Sequence, residues 1–77
     1  MQLNQLRSEL LLGRLGEAVL EPAPHANGWI LRSRSAAGEW ITLTDDHGSA
    51  CVYHRLDSAT GLAQDLGFRQ IRVEERF

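Results

Sequence analysis

The sequence predicts a two-layer α+β domain: an N-terminal helix, a three-stranded antiparallel meander, a short helix and a fourth strand. Three observations carry this. Leucines recur at helical spacing near the N-terminus, and apolar and polar residues alternate over several stretches between Trp29 and Arg55. A short helix with both ends punctuated then runs up to Leu66-Gly67-Phe68. With 77 residues, the chain makes a single domain over 1–77, near the lower limit at which one hydrophobic core holds a fold without metal or disulfide.

Leu3, Leu6, Leu10 and Leu11 turn one face of a helix inward over about 2–15, with Gln2, Gln5, Arg7 and Glu9 outward. Gly13 and Gly16 each cost about 1 kcal/mol inside a helix. Ala18-Val19-Leu20 therefore either prolongs the helix weakly or forms a short extended piece. Pro22 to Gly28, with two prolines and an Asn-Gly pair, is connecting loop. From Trp29 to Ser33 the chain alternates as a strand, with Trp29, Leu31 and Ser33 on one side and Ile30, Arg32 and Arg34 on the other. Ala36-Ala37-Gly38 turns it into a second strand over 39–44, in which Ile41 and Leu43 oppose Trp40, Thr42 and Thr44. Asp45-Asp46-His47-Gly48 fits a type I turn closed by a left-handed glycine. A third strand is expected over Ala50–Arg55.

The short helix has Ala59, Leu62, Ala63 and Leu66 on one face. Asp57 or Ser58 is placed to cap its first turn, and Gly67 to end it in a left-handed residue with Phe68 folding back onto its apolar face. Such a helix is too short to persist in isolation and must lie on the sheet. Arg69 to Glu74 supplies the fourth strand, and Glu74-Glu75-Arg76-Phe77 reads as a solvated end, with docking of Phe77 on the core as the alternative. Leu31, Ile41, Leu43, Val52, Ile71 and Val73 are the expected buried face of the sheet.

Hydrophobic residues make up 43% of the chain and charged residues 23%, a globular composition rather than a disordered one. The formal charge of −2 speaks against a protein devoted to neutralising phosphates. All eight basic residues are Arg, which is read as genomic bias before a need for guanidinium forks. Cys51 has no partner for an intramolecular disulfide, and a reducing cytoplasm is the simplest home. No apolar run approaches the ~18 residues of a membrane span, and no signal-peptide pattern opens the chain.

The sheet face turned away from the helices carries the candidate site. Arg32, Arg34, Trp40, Tyr53 and Arg55 fall on it, together with Thr42 and Arg72. Trp, Tyr and Arg are the residues most often found as interface anchors, so a protein partner is the first expectation. Arginines interleaved with aromatic rings can also hold nucleic acid by stacking and phosphate contact, which is the alternative. A solvated face on which Arg stems cover the rings is the plain structural reading of the same residues. His47, His54, Cys51, Asp45 and Asp46 are all metal-ligand types, but Cys51 and His54 lie three apart on the expected strand and so on opposite sides of it, and no paired ligand spacing occurs. No metal or cofactor is expected. Ser49, Ser58 and Cys51 lack any nucleophile signature, and so small a domain has little room for a substrate pocket, so no enzyme is expected. Self-pairing through an edge strand or the N-terminal leucines, giving a homodimer, is a competing use.

From Trp40 to Phe68, the residues Leu43-Thr44-Asp45-Asp46-His47-Gly48, Tyr53, Leu56-Asp57-Ser58-Ala59 and Leu66-Gly67-Phe68 resemble short accessory proteins of bacterial plasmids, prophages and integrative elements. The resemblance covers about half the chain and rests on a generic hairpin followed by a capped helix. The order of three strands and a helix is also similar to the arm-type DNA-binding domain of some phage integrases. This chain departs from that pattern in its acidic charge, its N-terminal helix and its fourth strand. The resemblance implies an accessory or regulatory protein that binds and tunes a larger host machine, and it assigns no residue roles.

Overall fold

The computed structural model describes residues 1–74. Its elements are α1 (Leu3–Leu11), β1 (Leu15–Pro22), β2 (Trp29–Ser35), β3 (Trp40–Thr42), α2 (Leu56–Leu66) and β4 (Ile71–Val73). The four strands form one sheet in the order β3-β2-β1-β4. β1, β2 and β3 are antiparallel neighbours, and β4 lies parallel to β1. The class is thus the expected α+β, and a three-stranded meander is present, but different segments build it.

α1 stops at Leu11 rather than near residue 15 because Gly13 takes a left-handed φ of 72°. The Gly13 and Arg14 N–H groups turn back to the carbonyls of Leu10 and Glu9, the double bond of a Schellman stop. Chain released there becomes β1, the strand shared by β2 and β4, so Ala18-Val19-Leu20 is extended and not helical. Buried from Ala18 to Glu21, this central strand has no period-two pattern for a sequence reading to find. Leu15 pairs with Ser35 but Ala18 with Ser33, so Gly16 and Glu17 form a bulge opposite Arg34. The bulge keeps both Leu15 and Ala18 on the core side, and the buried Ser33 hydroxyl donates to the Glu17 carbonyl at 3.1 Å.

Ala50–Arg55 is not a strand. It touches the sheet only at the bridges Thr44↔Ala50 and Trp29↔Tyr53. The hairpin ahead of it is tight: Asp45 Oδ1 accepts the N–H groups of His47 and Ser49, and Gly48 closes the turn at φ 81°. Cys51 then bonds to the Leu43 carbonyl and Tyr53 exchanges both backbone bonds with Trp29. The segment therefore fills the edge of β2 beyond β3 in single steps instead of a ladder.

α2 begins two residues earlier than a cap at Asp57 requires. Arg55 holds the N-cap position without a side-chain bond, and its carbonyl accepts from Ala59 at 3.2 Å. Asp57 instead sits in the first turn, where its charge complements the helix dipole. The far end is as expected: Gly67 has φ 105°, its N–H and that of Phe68 return to Gln64 and Ala63, and Phe68 is buried.

Both helices cover one face of the sheet. Leu6, Ala18, Leu20, Leu31, Leu43, Ala59, Ala63, Leu66 and Phe68 form the core, with Ile41 and Ile71 packed against it. Val52 and Val73, expected inward, depart from this. Val52 is half-buried and its Cγ1 crowds Gly28, where an added Cβ would stand 2.6 Å away, while Val73 on the short edge strand is 38% exposed. Phe77, read as part of a solvated end with docking on the core as the alternative, lies outside the described residues.

Candidate interface on the open sheet face

The pleat of β2 sends Leu31 and Ser33 to the helices and Ile30, Arg32 and Arg34 to the other side. Register then fixes their neighbours: Arg34 stands opposite Trp40, Arg32 opposite both Thr42 and Val19, and Val19 opposite Arg72. No described helix lies over this face. Even so, Val19 is 1% exposed and Ile30 is buried. Val19 is flanked in the ladder by Arg32 and Arg72, whose apolar stems are of a length to close over it.

Trp40 is the exposed ring of the face. The guanidinium carbons of Arg32 and Arg34 lie 5.2 and 5.8 Å from its ring centroid, each a cation–π contact of about 0.5–1 kcal/mol at such a site. Arg32 also donates to Glu21 at 3.1 Å. Further along, Arg72 pairs with Glu17 at 3.4 Å and Glu74 at 3.2 Å. Among the described residues Arg34 has no carboxylate within ion-pair distance. The face is thus graded, neutralised by carboxylates at β1 and β4 and positive around Trp40 at the β3 edge.

Of the five residues expected to make the site, the structure brings together Arg32, Arg34 and Trp40. Tyr53 is elsewhere. Its bridge with Trp29 sets it on the helix side, where it packs against the core. It lines a shallow cleft of about 350 Å³ with Leu3, Leu43, Asp45 and Cys51. Burial pushes the Cys51 thiol up, helped by the Asp45 carboxylate, and burial pushes the Tyr53 phenol up, helped by Cys51. Arg55 leaves the sheet altogether. It caps α2, solvent-exposed, with its guanidinium 3.9 Å from Asp57. Both misplacements share one cause, the third strand that does not form.

Sequence reasoning did not place Glu17, Val19 and Glu21 on this face, because it left Ala18-Val19-Leu20 open between a weak helical extension and a short extended piece, which the structure resolves as strand β1. The available signal was the uninterrupted apolar run Ala18-Val19-Leu20 between two glutamates, stopped by Pro22. A central strand buried on both faces reads that way. The ligand-type residues near the hairpin have structural partners: Asp45 holds its turn, and His54 Nδ1 lies 2.8 Å from the Asn27 carbonyl. A second apolar surface, at the C-terminal ends of both helices, combines the exposed Leu11 and Leu12 with a cleft floored by Leu10, Leu15 and Leu66. No described helix is long and apolar enough to cross a membrane.

No protein-family model, curated protein or solved structure matches the chain.

Proposed function

We propose that this protein is a non-catalytic binding module whose open sheet face, centred on Trp40 between Arg32 and Arg34, engages another protein in the cytoplasm and regulates it. The role is that of the accessory proteins of bacterial mobile elements which the sequence resembles. The observation that carries this reading is Trp40 itself. A tryptophan 41% exposed and braced by two guanidinium groups is rigid, large and ready to be covered, which are the properties of an interface anchor. Charge favours protein over nucleic acid: Glu17, Glu21 and Glu74 share the face with Arg32, Arg34 and Arg72, and two of those arginines already hold carboxylates. A phosphate backbone arriving here would meet as many carboxylates as guanidiniums.

The nucleic-acid reading uses the same three residues, and it separates cleanly by salt. Labelled single- and double-stranded DNA and RNA are titrated with the protein at low and physiological salt and followed by fluorescence anisotropy. The protein-partner reading expects no binding at micromolar protein at either salt. Micromolar binding that falls steeply with salt replaces it with the alternative. In parallel, Trp40→Ala and Arg34→Glu are compared with wild type for capture of a host partner. Unchanged capture by both variants removes this face from the function.

A further inference from the structure

The outer edge of β3 continues the Trp40 site into the backbone. In the β2–β3 ladder, Leu43 N–H donates to the Leu31 carbonyl and Ser35 N–H to the Glu39 carbonyl. Antiparallel alternation therefore aims the backbone groups of Trp40 and Thr42 away from β2, toward the edge. Met1 fills part of that edge: its ammonium donates to the Thr42 carbonyl at 3.0 Å and its carbonyl accepts from Thr44 N–H at 2.8 Å. Beyond Met1 the Trp40 N–H and carbonyl and the Thr42 N–H face outward. They form a donor–acceptor–donor row beside an exposed ring.

We propose that this row is a strand-addition site for an extended segment of a partner protein that carries a carboxylate side chain next to Trp40. The inference rests on the protein-binding reading above and names the partner's chemistry. Pairing would be antiparallel, with one partner residue exchanging both backbone bonds with Trp40 and a second accepting from Thr42. The side chain of the first residue then stands on the open face, its Cα about 5.5 Å from that of Trp40 across the new ladder. Arg34 already reaches over Trp40 from β2, its guanidinium carbon 5.8 Å from the ring centroid, so a glutamate on the added strand can meet it above the indole. Charge selects this occupant over a second copy of the chain. Two β3 edges paired about a two-fold axis would gather Arg32 and Arg34 of both copies around the paired indoles, with like charges in contact.

The test uses a random dodecapeptide library displayed on phage and selected on the whole folded protein. Selected peptides are synthesised and titrated into the ¹⁵N-labelled protein. The expected peptides have β-branched residues alternating about a Glu or Asp. They bind with micromolar Kd, shift the Trp40 and Thr42 amides and slow their exchange with solvent. Arg34→Glu weakens them at least tenfold, and replacing the peptide acid with Arg restores most of that loss. Thr42→Pro, which deletes the edge-facing N–H of position 42, abolishes the protection of the Trp40 amide, with the spectrum of the free variant reporting its fold. The proposal is overturned if no peptide is enriched, or if peptides are enriched without an acid or leave both amides unprotected. In the last case a peptide that still depends on Trp40 keeps the open face as the interface and removes only the strand addition. A dimer that forms through β3 with rising concentration and excludes the peptides overturns the choice of occupant.

Discussion

The two faces of the sheet are closed against water by different means. On one, α1 and α2 lay Leu6, Ala59, Ala63 and Leu66 over Leu20, Leu31 and Leu43, and the seal is made of secondary structure. On the other, Val19 is as buried as Leu43, at 1% exposure each, yet beside it in the ladder stand only arginines. A helix seal is rigid and specific to the fold. A seal of Arg stems held by Glu17, Glu21 and Trp40 is made of side chains alone, each guanidinium having several ways to be satisfied. The comparison teaches how a domain this small can leave one face of its sheet without helices and still bury Val19.

The largest expected effect belongs to the covered face. Leu31→Ala removes a fully buried side chain from the centre of the core and should cost about 2–5 kcal/mol. Against a domain stability of about 5–15 kcal/mol, urea unfolding should show a large fall in midpoint, or no folded baseline at all. A loss under about 1 kcal/mol would mean that the helices do not seal that face. Val19→Ala sharpens the contrast from the other side. If the arginine stems exclude water as helices do, the loss should be about 2 kcal/mol, the two deleted methyl-sized groups plus a residual cavity. An effect near zero would show the open face to be wet.

Much of this contrast was legible before the structure, and the part that was not has a common origin. Arg32, Arg34 and Trp40 sit on strands with plain alternation, so their shared face follows from period two alone. The same argument failed for Tyr53 and Arg55 because alternation requires a strand, and beyond the local hairpin closed at Thr44↔Ala50 the segment meets the sheet only at the distant bridge Trp29↔Tyr53. Strand β1 stayed open between helix and a short extended piece for the opposite reason: too much of it is buried to alternate. Gly13 ends α1 by the mechanism that was recognised at Gly67. The difference lies downstream, because Phe68 advertises a stop by folding onto the helix while Arg14 and Leu15 leave directly into a strand. Glycine by itself reads equally as a weak helix interior or as a terminus, and only the long-range pairing of β1 decides.

Arg32→Met tests how the open face is held together. The stem length is kept while the contact to Glu21 and the stacking on Trp40 are lost. The expected cost is about 1–2 kcal/mol at low salt and less in 1 M salt, the scale of a charge-assisted contact between partly buried side chains. Combined with Trp40→Ala in a double-mutant cycle, the two changes should be less than additive, since each removes the same cation–π pair. Full additivity would leave Arg32 and Trp40 as neighbours without coupling.

The smallest effect returns to the covered side and uses pH to separate it from the open one. Cys51 and Tyr53 both have their protons held more tightly in the folded protein, chiefly by burial. The unfolded chain releases those protons first. Stability is therefore intact below the ordinary thiol range, about 8.5, and declines as pH rises through and beyond it, levelling only above the raised folded values. The urea midpoint should drop modestly between about pH 8 and 10, and Cys51→Ala should flatten the first part of that drop. An unchanged slope in the variant would place the titrating group outside the Cys51–Tyr53 cleft. Salt should move Arg32→Met relative to wild type and leave the alkaline slope alone, so the two faces answer to different variables.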